Sequence, residues 1–301
     1  MKHFLFRLIF CFFIIVVICT IPCYIFEKKV RECPYSIINS IGNMNHVDAN
    51  LIILGNSRAE RGYNTSILDT LTGKKCLNLG IHGYPFDFQY NVMYKRYLIH
   101  NNKPQYILLD IGPSVFFKHT INSYNLDLLP YVTQNDFKEY FNNCPEYKRV
   151  DRIMFVRYFG KLDLVIKQLN KFKKNVKRPN QDRTMMNDDK NDSSKMPLEC
   201  DITIIHMLCG FLEECGRENV KVIMVCSPMH SNLGKMRYDM DNFWNIINYC
   251  ISGKGVIVFN YQDLFNSDTS YFSDPMHLNN YGKDCFTIKL AHDLDSLGLL
   301  K

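Results

Sequence analysis

Twelve cysteines are present, yet no two of them form a C-x-x-C pair. Zinc-ribbon and thioredoxin-like readings therefore have no support, and neither a metal nor a cofactor is expected. Cys76, Cys209, Cys226, Cys250 and Cys285 lie in apolar or periodic runs, where a free thiol packs as a small hydrophobe. No nucleic-acid-binding motif accompanies the net charge of +6. Much of that excess gathers between Lys161 and Arg183, so no nucleic-acid partner is expected. Internal repeats are also missing. Charge itself is absent from Leu8 to Phe26, a run of nineteen residues. At a rise of about 1.5 Å per residue such a helix reaches roughly 28 Å, enough to cross a bilayer once.

That run has no small-residue A-x-A-like cleavage site, which favours an uncleaved anchor over a signal peptide. Orientation stays open from charge alone, because Lys2 and Arg7 precede the span while Lys28, Lys29 and Arg31 follow it. The expected organisation is an anchor over 1–26, a polar tether over 27–47 and a folded domain over 48–298.

What is present after residue 48 is an alternation of short apolar runs with helical patterns. Strands are expected at Asn50–Leu54, Cys76–Leu79, Tyr106–Ile111, Val220–Cys226 and Gly255–Phe259. Helices are expected at Thr65–Leu71, Phe88–His100, Ile202–Glu214, Asp241–Ile251 and Gly282–Leu297. This order predicts an α/β fold with a five-stranded parallel sheet and helices on both faces. The strands are continuously apolar, as burial on both faces requires. An insertion at 116–197 breaks the rhythm. Its first half is aromatic and should pack; Lys173 to Lys195 is Lys/Asn/Asp-rich and cannot bury a core, so it is expected to be a mobile loop. A lid, a substrate platform and a bystander subdomain are all open for it.

Two short stretches carry the chemistry. Leu51-Ile52-Ile53-Leu54-Gly55-Asn56-Ser57 reads as a buried strand ending in a tight turn, with Ser57 either a helix cap or a nucleophile. More than two hundred residues later comes Asp274-Pro275-Met276-His277. Ligands bind outside the carboxyl ends of strands in a parallel sheet, and both stretches would emerge there. A serine needs a base to take its proton, and imidazole suits that task. The imidazole needs a carboxylate to fix its tautomer, which Asp274 can supply from three residues away. Developing negative charge needs donors, and Asn78-Leu79-Gly80-Ile81-His82-Gly83 ends the second strand with two glycines.

Together these residues resemble the SGNH/GDSL hydrolase superfamily. Gly55-Asn56-Ser57 stands where that family places its Gly-Asp-Ser-like block, and Asp274-Pro275-Met276-His277 where it places its terminal Asp-x-x-His block. The resemblance implies a three-layer α/β/α fold of flavodoxin-like type. It implies catalysis by Ser57, His277 and Asp274, with Ser57 and Gly80 as backbone oxyanion donors. Two departures stand out. Asn56 replaces the usual aspartate, and after the third strand Asp110-Ile111-Gly112-Pro113-Ser114 has no asparagine where the family has Gly-x-Asn-Asp. Ser114, Asn78 and Arg58 are the candidates to substitute for that donor, and His230 is a further candidate substrate contact.

The anchor and the altered third block look most like the DltD-like and alginate-acetylation-type relatives. That likeness implies an extracytoplasmic domain, an acylated glycan or acyl donor as substrate, acetyl as the expected acyl group and a membrane-bound acyltransferase as partner. Three functions remain open at this point. They are an anchored serine esterase or O-acyltransferase, a catalytically weak relative that binds a polymer or partner in envelope polysaccharide assembly, and a plain anchored binding protein.

Overall fold

The computed structural model describes residues 2–31, 44–116, 126–143, 147–173, 184, 200–230, 239–266 and 268–298. The chain divides into two units, Met1–Asn43 with Ile121–Arg178, and Met44–Thr120 with Pro179–Lys301. Most of the Lys173–Lys195 segment, expected to be mobile, and residues 32–43 of the expected tether lie outside the described residues.

In the first unit, one helix runs over Lys2–Arg31. Its most apolar 18-residue window has a mean hydropathy of 2.9, and none of that window is buried. A helix that is apolar all round and uncovered is long and apolar enough to cross a membrane. The helix continues past the expected span, because Glu27 is not solvated there. Glu27 and Arg157 form an ion pair in which each side chain is only 2% exposed. The Tyr158 hydroxyl donates to the same carboxylate at 3.1 Å. Arg31 adds a bond to the Pro130 carbonyl at 3.0 Å. Residues expected to begin a polar tether are thus helical and packed on the first half of the insertion, with Phe26 edge-on to Tyr158 at 5.1 Å.

The second unit is an α/β fold built on a five-stranded parallel sheet. We number the strands β1 (Leu51–Leu54), β2 (Cys76–Asn78), β3 (Tyr106–Asp110), β4 (Lys221–Cys226) and β5 (Ile257–Asn260). Their order across the sheet is β2-β1-β3-β4-β5. Leu51 pairs with Cys76 on one side and Tyr106 on the other. β1 and β3 are buried along their whole length. The continuous apolar runs follow from that two-sided burial. The order reverses around β1, since the chain steps from β1 to β2 on one side and then crosses to β3 on the other. A crevice opens at such a switch point, at the carboxyl ends of β1 and β3.

The helices Thr65–Thr72, Ile202–Arg217, Met240–Ile251 and Asn280–Ser296 match the expected positions within a few residues. The expected helix from Phe88 begins at Phe86 and is π-helical over Gln89–Tyr94. The helix-compatible stretch after β1 forms the short helix Ser57–Gly62. One element was not anticipated, a small antiparallel pair, β6 (Phe272–Asp274) and β7 (His277–Leu278), that precedes the last helix.

Candidate active site

The turn after β1 is shaped by Gly55, whose φ of +148° suits glycine. A Cβ there would lie 2.7 Å from Ala59 Cβ and 3.0 Å from Asp110 Cβ, so the turn closes only without one. Asn56 then caps the helix, its Oδ1 accepting from the Arg58 N–H at 3.0 Å. Ser57 is the first helical residue and stands at the carboxyl edge of the sheet.

The partners come from the β6–β7 hairpin, in which Asp274 and His277 sit opposite one another across the Pro275-Met276 turn. His277 Nε2 lies 2.7 Å from Ser57 Oγ. His277 Nδ1 lies 2.9 Å from both Asp274 Oδ1 and Oδ2. A carboxylate accepts only, so Nδ1 carries the proton and Nε2 is left to accept from the Ser57 hydroxyl. The structure thus brings Ser57, His277 and Asp274 into one hydrogen-bonded chain. Burial pushes the Asp274 carboxyl up, but the His277 hydrogen bond and charge, the Met276 N–H and Arg61 outweigh it. The group is held below the usual carboxylate range. Asp274 therefore stays ionised well into acid.

The other residues singled out from the sequence take different places. Arg58 is buried beneath the turn. Its Nε donates to Ser227 Oγ at 3.1 Å, its Nη2 to Ser227 Oγ at 2.9 Å and to the Ser227 carbonyl, and its Nη1 points at Met229 Sδ. It fastens the Ser57 helix to the end of β4 rather than facing a substrate. Asn78 is a second brace: Nδ2 donates to the Ala59 carbonyl at 2.8 Å, and Oδ1 accepts from the Gly80 N–H at 2.9 Å. The Gly80 N–H is therefore already committed. Gly80 also packs so tightly that a Cβ would fall 2.5 Å from the Glu60 nitrogen. His230 is buried, its ring edge-on to Phe272 at 5.3 Å and its N–H on the Pro275 carbonyl at 3.1 Å. It supports the hairpin that carries Asp274. Ser114 is partly exposed at the sheet edge, with its Oγ accepting from Asn56 Nδ2 at 3.0 Å.

Two features escaped the sequence reading. The His82 ring lies 6.3 Å from the His277 ring, which puts the His82-Gly83 turn beside the triad. Burial first, and Arg61 second, hold the His82 imidazole below its usual value. Asp110 is fully buried and accepts from the Tyr63 hydroxyl at 2.6 Å. Burial raises its carboxyl, with Arg58, Tyr63 and Ser227 opposing. The signal for this cluster is a charged residue ending an otherwise apolar strand, paired with a charged residue one step past the serine. Among the described residues, no group of three or more His, Cys, Asp or Glu side chains is placed to hold a metal ion.

No protein-family model and no curated protein matches the chain. Among solved structures, the chain is similar to one described as "a putative platelet activating factor from Streptococcus pneumonia", at 13% identity and a TM-score of 0.45. That similarity covers 91% of this chain and 98% of the other.

Proposed function

We propose that this chain is a membrane-anchored SGNH-type serine esterase or O-acyltransferase. It would act on acyl groups, acetyl foremost, carried by a cell-envelope or extracellular glycan. The observation that carries the reading is the continuous hydrogen-bond chain from Ser57 through His277 to Asp274 at the sheet's switch point. Ser57 Oγ attacks the ester carbonyl carbon while its proton passes to His277 Nε2. Asp274 stabilises the imidazolium, and the carbonyl oxygen becomes an oxyanion. Collapse expels the alcohol, which takes the proton from His277 and leaves an acyl-serine. Water or a sugar hydroxyl then attacks the acyl-serine by the same steps in reverse. Esterase and transferase differ only in that second acceptor.

The helix Lys2–Arg31 supports anchoring. The extracytoplasmic placement, the glycan and a membrane-bound acyltransferase partner rest on the DltD-like and alginate-acetylation-type pattern of the residues. The test is hydrolysis of small aryl esters of increasing acyl length by the full-length protein in detergent. Turnover of the acetyl ester that disappears in Ser57→Ala, with melting unchanged, is the expected result. Equal turnover by wild type and Ser57→Ala would remove the reading.

A further inference from the structure

We infer that Ser114 supplies the side-chain donor of the oxyanion hole, and that Asn56 is the positioning residue that leaves its hydroxyl hydrogen available. The inference rests on the reading of Ser57 as the acyl-accepting nucleophile.

The argument is a count of hydrogens. The Asn56 amide has one orientation that satisfies its neighbours, because Oδ1 must face the Arg58 N–H it caps at 3.0 Å. Nδ2 is then the group that meets Ser114 Oγ, at 3.0 Å, and the hydroxyl oxygen accepts. A serine hydroxyl has one hydrogen and two lone pairs. One lone pair is used here, and the hydrogen has no acceptor among the described residues. Ser114 sits in the turn Pro113–Phe116 that leaves β3, and β3 lies directly beside β1, with Leu109 opposite Leu54. The free hydrogen therefore belongs to a side chain anchored to the residue before the nucleophile, at the crevice between the two strands. Asn56 and Ser114 also wall a cavity of about 10 Å³, at most the size of one water. Its remaining polar lining includes Gln89 and Asp110, whose acceptors are engaged elsewhere: Gln89 Oε1 accepts from the Gly55 N–H at 3.4 Å and Asp110 Oδ2 from the Tyr63 hydroxyl at 2.6 Å. The Gly80 N–H, spent on Asn78, makes a side-chain donor the more necessary.

The identity of residue 56 decides the outcome. Aspartate would cap Arg58 as well as asparagine does, so the turn would persist. Its carboxylate only accepts, however, and it would capture the one Ser114 hydrogen. An asparagine at position 114 has two hydrogens, and could give one to that carboxylate and keep the other for the oxyanion.

The experiment compares four full-length proteins in detergent, wild type, Ser114→Ala, Asn56→Asp and the double variant Asn56→Asp/Ser114→Asn, by kcat and KM on an acetyl ester and by melting. Loss of one oxyanion donor lowers kcat by about 10²-fold or more. Ser114→Ala and Asn56→Asp should each show that loss, with KM and melting unchanged, and the double variant should regain most of it. A wild-type kcat in Asn56→Asp or in Ser114→Ala, from an active wild type, would overturn the inference while leaving the nucleophile reading intact. A loss in Asn56→Asp that the double variant does not recover would overturn the coupling. Turnover that does not depend on Ser57 in the wild type would overturn both, since no acyl-serine oxyanion would then exist to be held.

Discussion

Replacing Arg58 by methionine isolates the role of the cation beneath the Ser57 turn, since most of the side chain's volume is kept. Arg58 is 4% exposed, and its guanidinium bonds to Ser227 and Met229. The variant leaves the Ser227 carbonyl without its donor and Asp110 without the charge that offsets its burial. Removing one member of a buried charge pair costs about 3–5 kcal/mol. At roughly 2–4 °C per kcal/mol for a unit of this size, melting should fall by roughly 6–20 °C. The deficit should also depend on pH. Burial already raises the Asp110 carboxyl, and without Arg58 it rises further. A carboxyl raised in the folded state contributes stability that is present in acid and is lost as pH rises through its folded value. Asp110 can take up a proton and relieve the variant, so the deficit should shrink as pH falls from neutral into acid. Chemical denaturation of both proteins as a function of pH reads this directly. A change below about 1 kcal/mol at neutral pH, or a deficit independent of pH, would refute the charge argument and leave Arg58 as a packing residue.

Two further outcomes follow from the same geometry. Asp274→Asn weakens the hold on the His277 tautomer and should lower kcat by about 10²- to 10⁴-fold, the partial exposure of Asp274 favouring the lower end. Because the folded state lowers the Asp274 carboxyl, its stabilising share is present above the usual carboxylate range and is lost as pH falls through the lowered value. Denaturation profiles of wild type and Asp274→Asn should therefore converge in strong acid; a constant offset would contradict this. Glu27→Ala should destabilise the unit formed by the N-terminal helix and the first half of the insertion by about 3–5 kcal/mol, because Arg157 is left buried without its partner. Protease cleavage within 147–173 should then become faster, and unchanged resistance would count against the pairing.

The parallel sheet was legible in the sequence because a strand covered on both faces must be apolar throughout, and Leu51–Leu54 and Tyr106–Asp110 nearly are. Ser57 and His277 could be singled out because each carries a local pattern, a strand-Gly-x-Ser turn and an Asp-x-x-His turn. The roles of Arg58 and Asn78 could not be read the same way. Whether a polar side chain beside a nucleophile faces substrate or braces the turn depends on where Ser227 arrives, 169 residues on. Gly80 failed for the same kind of reason, since its N–H is claimed by a side chain two residues earlier. Glu27 looked like the start of a solvated tether because its partner Arg157 is 130 residues away. The π-helical turn at Gln89–Tyr94 has no period of its own that an apolar pattern would show.

The central claim is that Ser57 is an activated nucleophile. The direct measurement is reaction of the full-length protein with a fluorophosphonate serine probe, followed by mapping of the modified peptide, with Ser57→Ala and His277→Ala alongside. Modification of Ser57 in the wild type, absent in Ser57→Ala and strongly slowed in His277→Ala, is the predicted result. A folded wild type left unmodified at Ser57, or modified as fast without His277, would contradict the account.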